Sequence, residues 1–291
     1  MLIRIPGTSA NLGPGFDCFG MAWQCYNEIE FLPSEKLIIE GCDEQYRNGD
    51  NLAFRGWNAA FAAAGRTAES VKIVFGKTDV PVSRGLGSSA TLIVGGAAAA
   101  DAMYGLGLGR QGILDAATAV EGHPDNVAPA VFGGLTASAM DGKKAVTSFF
   151  PVSDKLHFTA LIPDFELSTT LARLVLPDEV SRADAIFNVS RAALLLRALG
   201  DGDAELLRLA MDDRIHQPYR WGLIEGSEEA VAMAKDCGAA GVCISGAGPT
   251  ILCAAEDEGF TERIRAAVAQ RFPAWEVRAM PIDREGVQVV A

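Results

Sequence analysis

The segment Pro81-Val82-Ser83-Arg84-Gly85-Leu86-Gly87-Ser88-Ser89-Ala90 lies between an apolar run that ends near Val80 and a long helix predicted to begin at Ser88. Amides at a helix N-terminus have no helical acceptor, and the helix dipole adds positive potential there. Glycines before the helix let a ligand approach the backbone closely. The segment therefore predicts a phosphate-binding loop.

The loop pattern by itself leaves several interpretations to compare. A Walker A loop is excluded because no GxxxxGK followed by Ser or Thr occurs, and the HRD and DFG segments of protein kinases are also missing. Gly85, Gly87 and Ala90 match the GxGxxA dinucleotide fingerprint. That fingerprint needs an acid at the end of a second strand, whereas Asp101 falls inside the same predicted helix.

The two serines at the helix start are compatible with two remaining interpretations of the loop. A plain Gly/Ser-rich turn with Ser88 as the N-cap is the structural interpretation. Paired hydroxyls at Ser88 and Ser89 instead suit triphosphate oxygens and a Mg²⁺ ion, which prefers oxygen ligands. The loop alone does not decide between them.

Composition favours a globular protein that acts on small molecules. The 291 residues are 49% hydrophobic and 21% charged, so the chain can bury a sizeable core in one or two domains. The net charge of -12 and the lack of any Lys/Arg run argue against nucleic-acid binding. Six scattered cysteines without a CxxC pair predict reduced thiols, and the three histidines lack the spacing of a zinc site.

The sequence predicts neither a membrane span nor a leader. Its most apolar stretch, 90–100, is about half of the roughly 20 residues that cross a bilayer. The first residues, MLIRIPG, carry no secretory h-region, so we expect a cytoplasmic protein. A homodimer is left open as an alternative to a monomer.

Periodicity and turn residues predict a mixed chain. Strands are expected at 2–6, 22–32, 37–40, 71–75, 135–139, 145–149, 158–162, 242–245 and 251–254. A helix capped by Asp50 or Asn51 is expected from Leu52 to a stop at Gly65. Further helices are expected after 88, after 109, and at 168–174, 183–199, 204–211 and 225–237, before a last helix and strand. The polar patch 153–155 is the candidate domain boundary.

Four segments in order resemble the GHMP kinases, the small-molecule kinases named for galactose, homoserine, mevalonate and phosphomevalonate. They are SANLGPGFD at 9–17, PVSRGLGSSA at 81–90, EGHPDNVAPAVFGG at 121–134 and SGAGPT at 245–250. The third is similar to the homoserine kinase form. The resemblance spans nearly the whole chain, with the departure that Ser83 stands where related loops frequently carry glycine.

The resemblance implies a two-domain α+β fold. A ribosomal-protein-like domain would span 1–153 and a ferredoxin-like domain 154–291, with ATP and substrate between them. The implied reaction moves the γ-phosphoryl group of ATP to the hydroxyl of L-homoserine, giving O-phosphohomoserine for threonine synthesis. A sister kinase for another alcohol and a catalytically silent nucleotide or metabolite sensor are the alternatives.

The resemblance also implies which residues hold ATP and metal. The triphosphate would lie on the loop residues Pro81, Arg84, Gly85, Leu86, Gly87, Ser88, Ser89 and Ala90. Ser89 and Glu121 would bind Mg²⁺, since hydroxyl and carboxylate oxygens are its ligands. Asn51, at a predicted helix start, is a candidate contact for the nucleotide base.

At the substrate hydroxyl, the resemblance places an amide. Asn126 stands where mevalonate and galactose kinases have an aspartate, and an amide orients a hydroxyl but cannot act as a general base. The structural alternative is an N-cap for the helix that follows Asn126. Asp125 is expected to be structural, with a role as general base as the alternative.

An amino-acid substrate needs an acid for its ammonium and preferably arginine for its carboxylate. By resemblance, Asp17 and Asn11 fit the ammonium, and Arg173 and Arg220 fit the carboxylate. Without the resemblance, both arginines would be interpreted as solvated surface residues. Two further substrate contacts are expected at His123 and Thr169.

Overall fold

The computed structural model describes residues 1–290, which form two β-sheets and ten α-helices. Strands and helices mix along the chain without a regular βαβ alternation. This is an α+β arrangement, which confirms the fold class that the resemblance implies.

The first sheet has seven strands. They are β1 (Leu2–Ala10), β2 (Phe19–Pro33), β3 (Ile38–Glu40), β4 (Val71–Thr78), β5 (Leu135–Asp141), β6 (Lys144–Phe150) and β11 (Gln288–Val290). The order is β11-β1-β2-β4-β3, and the β5-β6 hairpin joins β2. Only β3 and β4 pair in parallel within this sheet. The dinucleotide-binding alternative, which requires a parallel sheet, is therefore wrong.

Four helices cover one face of the first sheet. They are α1 (Leu52–Ala63), α2 (Ser88–Tyr104), α3 (Gly109–Glu121) and α4 (Val127–Phe132). Their apolar side chains form one core with Ile3, Ile29 and Trp57, all fully buried. This core fixes the ends of α2 and α3 that face the functional cleft.

The small residues of α2 let it lie directly against α1. A Cβ at Gly96 would come within 1.8 Å of the main-chain oxygen of Ala53 in α1. In return, a Cβ at Gly56 of α1 would lie 2.0 Å from the main-chain oxygen of Ile93. Close contact between helix backbones therefore depends on glycine at both positions.

We expect Gly96→Ala to destabilise the fold by about 2 kcal/mol, because α1 or α2 must move to admit the methyl group. Gly95→Ala is the matched control, since its Cβ would lie 3.0 Å from Ile5 Cδ1, the end of a movable side chain. Both variants gain about 1 kcal/mol of helix propensity over glycine. Urea unfolding measures both, and equal stabilities would contradict the close helix contact.

The second sheet has four antiparallel strands in the order β10-β7-β9-β8. The strands are β7 (His157–Ile162), β8 (Gly241–Ile244), β9 (Ile251–Ala255) and β10 (Glu276–Ala279). The helices of this half are α5 (Thr169–Leu174), α6 (Arg182–Asp201), α7 (Ala204–Ala210), α8 (Gln217–Arg220), α9 (Ser227–Asp236) and α10 (Phe260–Arg271).

A second core joins the two halves of the molecule. Trp23 of β2 packs against Phe158 of β7, with ring centroids 5.3 Å apart. The same cluster includes Met21 from the first sheet and Leu252 and Leu207 from the second half. This shared core holds the two walls of the cleft together.

The chain returns to its starting sheet at the end. Strand β11 pairs antiparallel with β1, with Leu2 opposite Val290. The predicted division into 1–153 and 154–291 assigns this last strand to the second domain, whereas it belongs to the first sheet. It pairs there because β1 has a free edge. In residues 1–290, no helix has the length and apolar character needed to cross a membrane.

Candidate active site

A cleft of about 830 Å³ opens between the two halves of the molecule. Its walls include parts of the segments 41–52, 78–92, 121–126, 167–173 and 246–248. The volume is in the range of small-molecule sites. Segments that lie far apart in the sequence thus meet around one space.

The phosphate loop forms one wall of this cleft. Helix α2 begins at Ser88, and Gly87 precedes it in a left-handed conformation (φ 69°) without a side-chain cap. The alternative of Ser88 as the N-cap is therefore wrong. A Cβ at Gly87 would lie 2.0 Å from Thr8 Oγ1, so the loop needs glycine there. The first amides of α2 remain available to an anion.

Arg84 in the same loop has a donor to spare. Its Nη2 donates to the main-chain oxygen of Asp164 at 2.8 Å. Its Nη1 is buried and has no hydrogen-bond partner within residues 1–290, and Glu166 Oε1 lies 3.9 Å away. An unpaired guanidinium nitrogen beside the cleft suits a phosphate oxygen.

Ser89 and Glu121 meet where α2 begins and α3 ends. The Ser89 hydroxyl donates to Glu121 Oε2 at 2.6 Å. Burial raises the pKa of Glu121, and the hydrogen bond from Ser89 opposes that rise. Within residues 1–290, no Lys or Arg forms a salt bridge with this carboxylate. The site thus offers two adjacent oxygen groups that could bind a cation, one of them a half-buried carboxylate.

The segment after α3 orders Asn126. Asp125 is 2% exposed, and its carboxylate accepts from the Asn126 amide at 2.8 Å and contacts His123 Nδ1. Burial alone lowers the pKa of His123, but the hydrogen bond and charge of Asp125 outweigh burial and raise it. Asn126 precedes α4 but makes no side-chain cap, so the N-cap alternative for its amide is wrong. Its Oδ1 accepts from Thr8 Oγ1 at 2.8 Å.

Asp17 and Arg173 bridge the two halves across the cleft. Arg173 Nη2 and Nη1 donate to the two carboxylate oxygens of Asp17 at 2.7 and 3.0 Å. The two groups predicted for the opposite ends of an amino acid therefore pair with each other. Asn11 supports this loop: its Nδ2 donates to Gly246 O at 2.7 Å, and its Oδ1 accepts from the Asp17 amide.

Arg220 is buried, so the solvated-surface alternative is wrong for this residue. Its side chain is 2% exposed in the chain and lines the cleft. Nε donates to Ala172 O at 3.0 Å, and Nη1 donates to Gly246 O at 3.3 Å. Burial, followed by the nearby charge of Arg173, lowers the pKa of Arg220 to about 10. The guanidinium is still charged at neutral pH.

His216 and Phe16 hold the two arginines in place. His216 Nε2 donates to Gly13 O at 2.8 Å, which leaves Nδ1 as an acceptor for Arg220 Nη1 at 3.3 Å. Burial lowers the pKa of His216, so the neutral ring fits this arrangement. Phe16 stacks on His216, and its ring lies 5.2 Å from the Arg220 guanidinium and 5.8 Å from that of Arg173.

Most of the predicted site residues line this one cleft. Those that do are Asn11, Asp17, Asn51, Pro81, Arg84, Gly85, Gly87, Ser88, Ser89, Glu121, His123, Asn126, Thr169, Arg173 and Arg220. Leu86 and Ala90 do not, because both side chains are fully buried in the cores. Asn51 uses its own amide as a helix cap: it accepts from Ala53 N and donates to Tyr46 O.

Several residues around the site were not predicted from the sequence. Thr8, Phe16, His216 and Ser245 each contact a predicted residue or the phosphate loop. Ser245 Oγ, for example, donates to Gly85 O at 2.6 Å. Both Phe16 and Ser245 lie inside quoted motifs, but only the tertiary contacts reveal what they touch.

Family models match both halves of the chain. The model described as "GHMP kinases N terminal domain" matches residues 51–134, and "GHMP kinases C terminal" matches residues 194–274. Together they cover more than half of the protein. The chain belongs to the GHMP kinase family. It is therefore an ATP-dependent kinase with the two-domain α+β fold of that family.

Several relatives that match this GHMP kinase over nearly its full length are homoserine kinases. A homoserine kinase of Clostridium botulinum (strain ATCC 19397 / Type A) is 44% identical over 99% of this chain and 97% of its own length. One of Clostridium beijerinckii is 40% identical over 99% and 98%. The crystal structure of homoserine kinase from Cytophaga hutchinsonii superposes with a TM-score of 0.89, at 27% identity over 100% of this chain and 97% of that chain.

Proposed function

We propose that this GHMP kinase transfers the γ-phosphoryl group of ATP to the hydroxyl of L-homoserine, giving O-phospho-L-homoserine for threonine biosynthesis. One observation carries the proposal. Asp17, Arg173 and Arg220 line the same cleft as the phosphate loop, so both charges of an amino acid can be paired there. The homoserine kinases among its relatives support this substrate.

In this proposal the phosphate loop positions the donor. The first amides of α2 would take the triphosphate oxygens, and the Arg84 guanidinium, which lines the cleft, would add positive charge beside them. Phosphoryl transfer requires little covalent assistance, so positioning and charge stabilisation supply most of the rate enhancement. A rigid loop held by glycine contacts supplies the positioning.

The residues present also fit a Mg²⁺ ion. Ser89 Oγ and the Glu121 carboxylate are hard oxygen ligands, and no Lys or Arg of residues 1–290 forms a salt bridge with the half-buried Glu121. These two residues would hold the ion. Its chemistry would be to neutralise charge on the phosphate oxygens during transfer.

The acceptor hydroxyl would lie beside Asn126, which orients it without taking its proton. Asp125 is not a free base, since it is buried and contacts His123 and the Asn126 amide. Proton loss to phosphate or water is compatible with a loose transition state. The lack of a carboxylate base at position 126 is therefore no argument that the protein is a catalytically silent sensor.

A coupled assay of ADP release tests the proposal. The protein is mixed with ATP, Mg²⁺ and one of L-homoserine, mevalonate, galactose or shikimate, and kcat/KM is compared. We expect turnover with L-homoserine to exceed that with the others. Preference for another alcohol would establish a sister kinase, and ATP binding without any turnover would establish a sensor; either result refutes the proposal.

The proposed setting is the cytoplasm, with small molecules as partners. All six cysteines are free thiols, which suits a reducing compartment. The net charge of -12 disfavours nucleic acid as a partner. A homodimer stays a prediction, which sedimentation tests by measuring the molar mass in solution.

A further inference from the structure

Thr8 is a buried threonine in β1 that touches both the phosphate loop and Asn126. It is 0% exposed, and its amide donates to Leu86 O at 3.0 Å. Its hydroxyl donates to Asn126 Oδ1 at 2.8 Å. A Cβ on Gly87 would lie 2.0 Å from Thr8 Oγ1 and 3.2 Å from Asn126 Oδ1, so glycine at 87 leaves room for this hydrogen bond.

In the structure, the Asn126 side-chain amide places Oδ1 on the Thr8 hydroxyl. A threonine hydroxyl has one hydrogen, and a carbonyl oxygen can only accept. With Oδ1 turned to Thr8, the NH₂ group is the remaining polar end of the amide. Within residues 1–290, Nδ2 has no protein acceptor, and Asn126 lines the cleft.

We propose that Thr8 is a positioning residue that holds the Asn126 amide as a hydrogen-bond donor toward the reacting oxygens. This inference rests on the proposed function. Nδ2 donates to a lone pair of the acceptor hydroxyl or to an oxygen of the transferring phosphoryl group. An amide turned the other way would present Oδ1, which can accept from the acceptor hydroxyl but repels the oxygens of the phosphoryl group.

The step balances without a protein base. The hydroxyl oxygen forms a bond to the γ-phosphorus, and the bond from that phosphorus to the bridging oxygen breaks, leaving its electron pair on ADP. The hydroxyl proton passes to an oxygen of the phosphoryl group and then to water. Asn126 gains and loses no proton, because it only donates hydrogen bonds.

A double-mutant cycle on kcat tests whether Thr8 acts through Asn126. Thr8→Val keeps the shape but removes the donor, and we expect kcat to fall about 10-fold with little change in the KM for ATP. Thr8→Ser restores a hydroxyl and should stay within about 3-fold of the wild type. In an Asn126→Ala background, Thr8→Val should lower kcat no further.

Controls keep the outcomes apart. Thermal unfolding verifies that each variant is folded, and Thr8→Ala replaces Thr8→Val in the cycle if the latter does not fold. An equal fall in kcat in both backgrounds would refute the positioning role, since Thr8 would then act independently of Asn126. A wild type that does not phosphorylate homoserine would refute the proposed function instead.

Discussion

Replacing Glu121 with glutamine is expected to lower kcat about 10³-fold, because under the proposed function the variant would lack the charged ligand for a Mg²⁺ ion that offsets charge in the transition state. In the absence of metal, the Glu121→Gln variant should be at least as stable as the wild type. Burial raises the pKa of Glu121 in the fold, so its ionised form opposes folding at neutral pH. This destabilisation disappears as the pH falls and the carboxyl is protonated, and glutamine removes it at every pH.

Two measurements separate metal binding from general damage. Calorimetry should show an unchanged or higher Tm for Glu121→Gln alone, together with a smaller Tm increase on adding ATP and Mg²⁺. The Mg²⁺ concentration for half-maximal rate should rise in Glu121→Gln and in Ser89→Ala. Glu69→Gln, at an exposed position, is the matched control. A Glu121→Gln enzyme with wild-type kcat and Mg²⁺ dependence would contradict this role.

Local sequence signals predicted the elements that depend on neighbouring residues, but not those that depend on long-range pairing. The helix capped by Asn51 and the small-residue helix from Ser88 both form, because caps and periodicity act within a few residues. Strand β11 had no such signal: its three residues pair with β1 from the other end of the chain. Long-range pairing of so short a strand depends on the free edge of β1, which the sequence does not display.

The residues of the candidate site also fall into those named from the sequence and those found only in the structure. Glu121 lies in a quoted motif, and Arg220 was assigned only by the family resemblance, since its residue type alone indicates a surface side chain. Other residues were not identified from the sequence: Thr8 and His216 became visible only once tertiary contacts placed them beside Asn126 and Arg220. Nothing in the sequence indicated that Arg220 is buried. This residue is 2% exposed, although arginine is usually a surface residue.

Arg173→Ala is expected to reduce kcat/KM for L-homoserine about 10²-fold, because a guanidinium fork is the strongest side-chain partner for a carboxylate. Stability should change little. The Asp17 and Arg173 side chains are 35% and 39% exposed, and solvent screens an ion pair at this exposure. The KM for ATP should stay near the wild-type value. Arg191→Ala removes an arginine that stacks on Phe187 outside the cleft and is the matched control.

Substrate analogues show which charge Arg173 recognises. In the structure Arg173 is paired with Asp17. Under the proposed function, an arriving amino acid would exchange that ion pair for two new ones, with its carboxylate on Arg173 and its ammonium on Asp17. 3-Aminopropan-1-ol is homoserine without the carboxylate, and the wild type should use it far less well. Arg173→Ala should narrow the ratio of kcat/KM between the two alcohols, because the group that distinguished them is gone. Asp17→Asn should do the same for 4-hydroxybutanoate, which lacks the ammonium. If Arg173→Ala impairs homoserine and 3-aminopropan-1-ol by the same factor, the guanidinium does not bind the substrate carboxylate, and Arg220 alone would remain for that role.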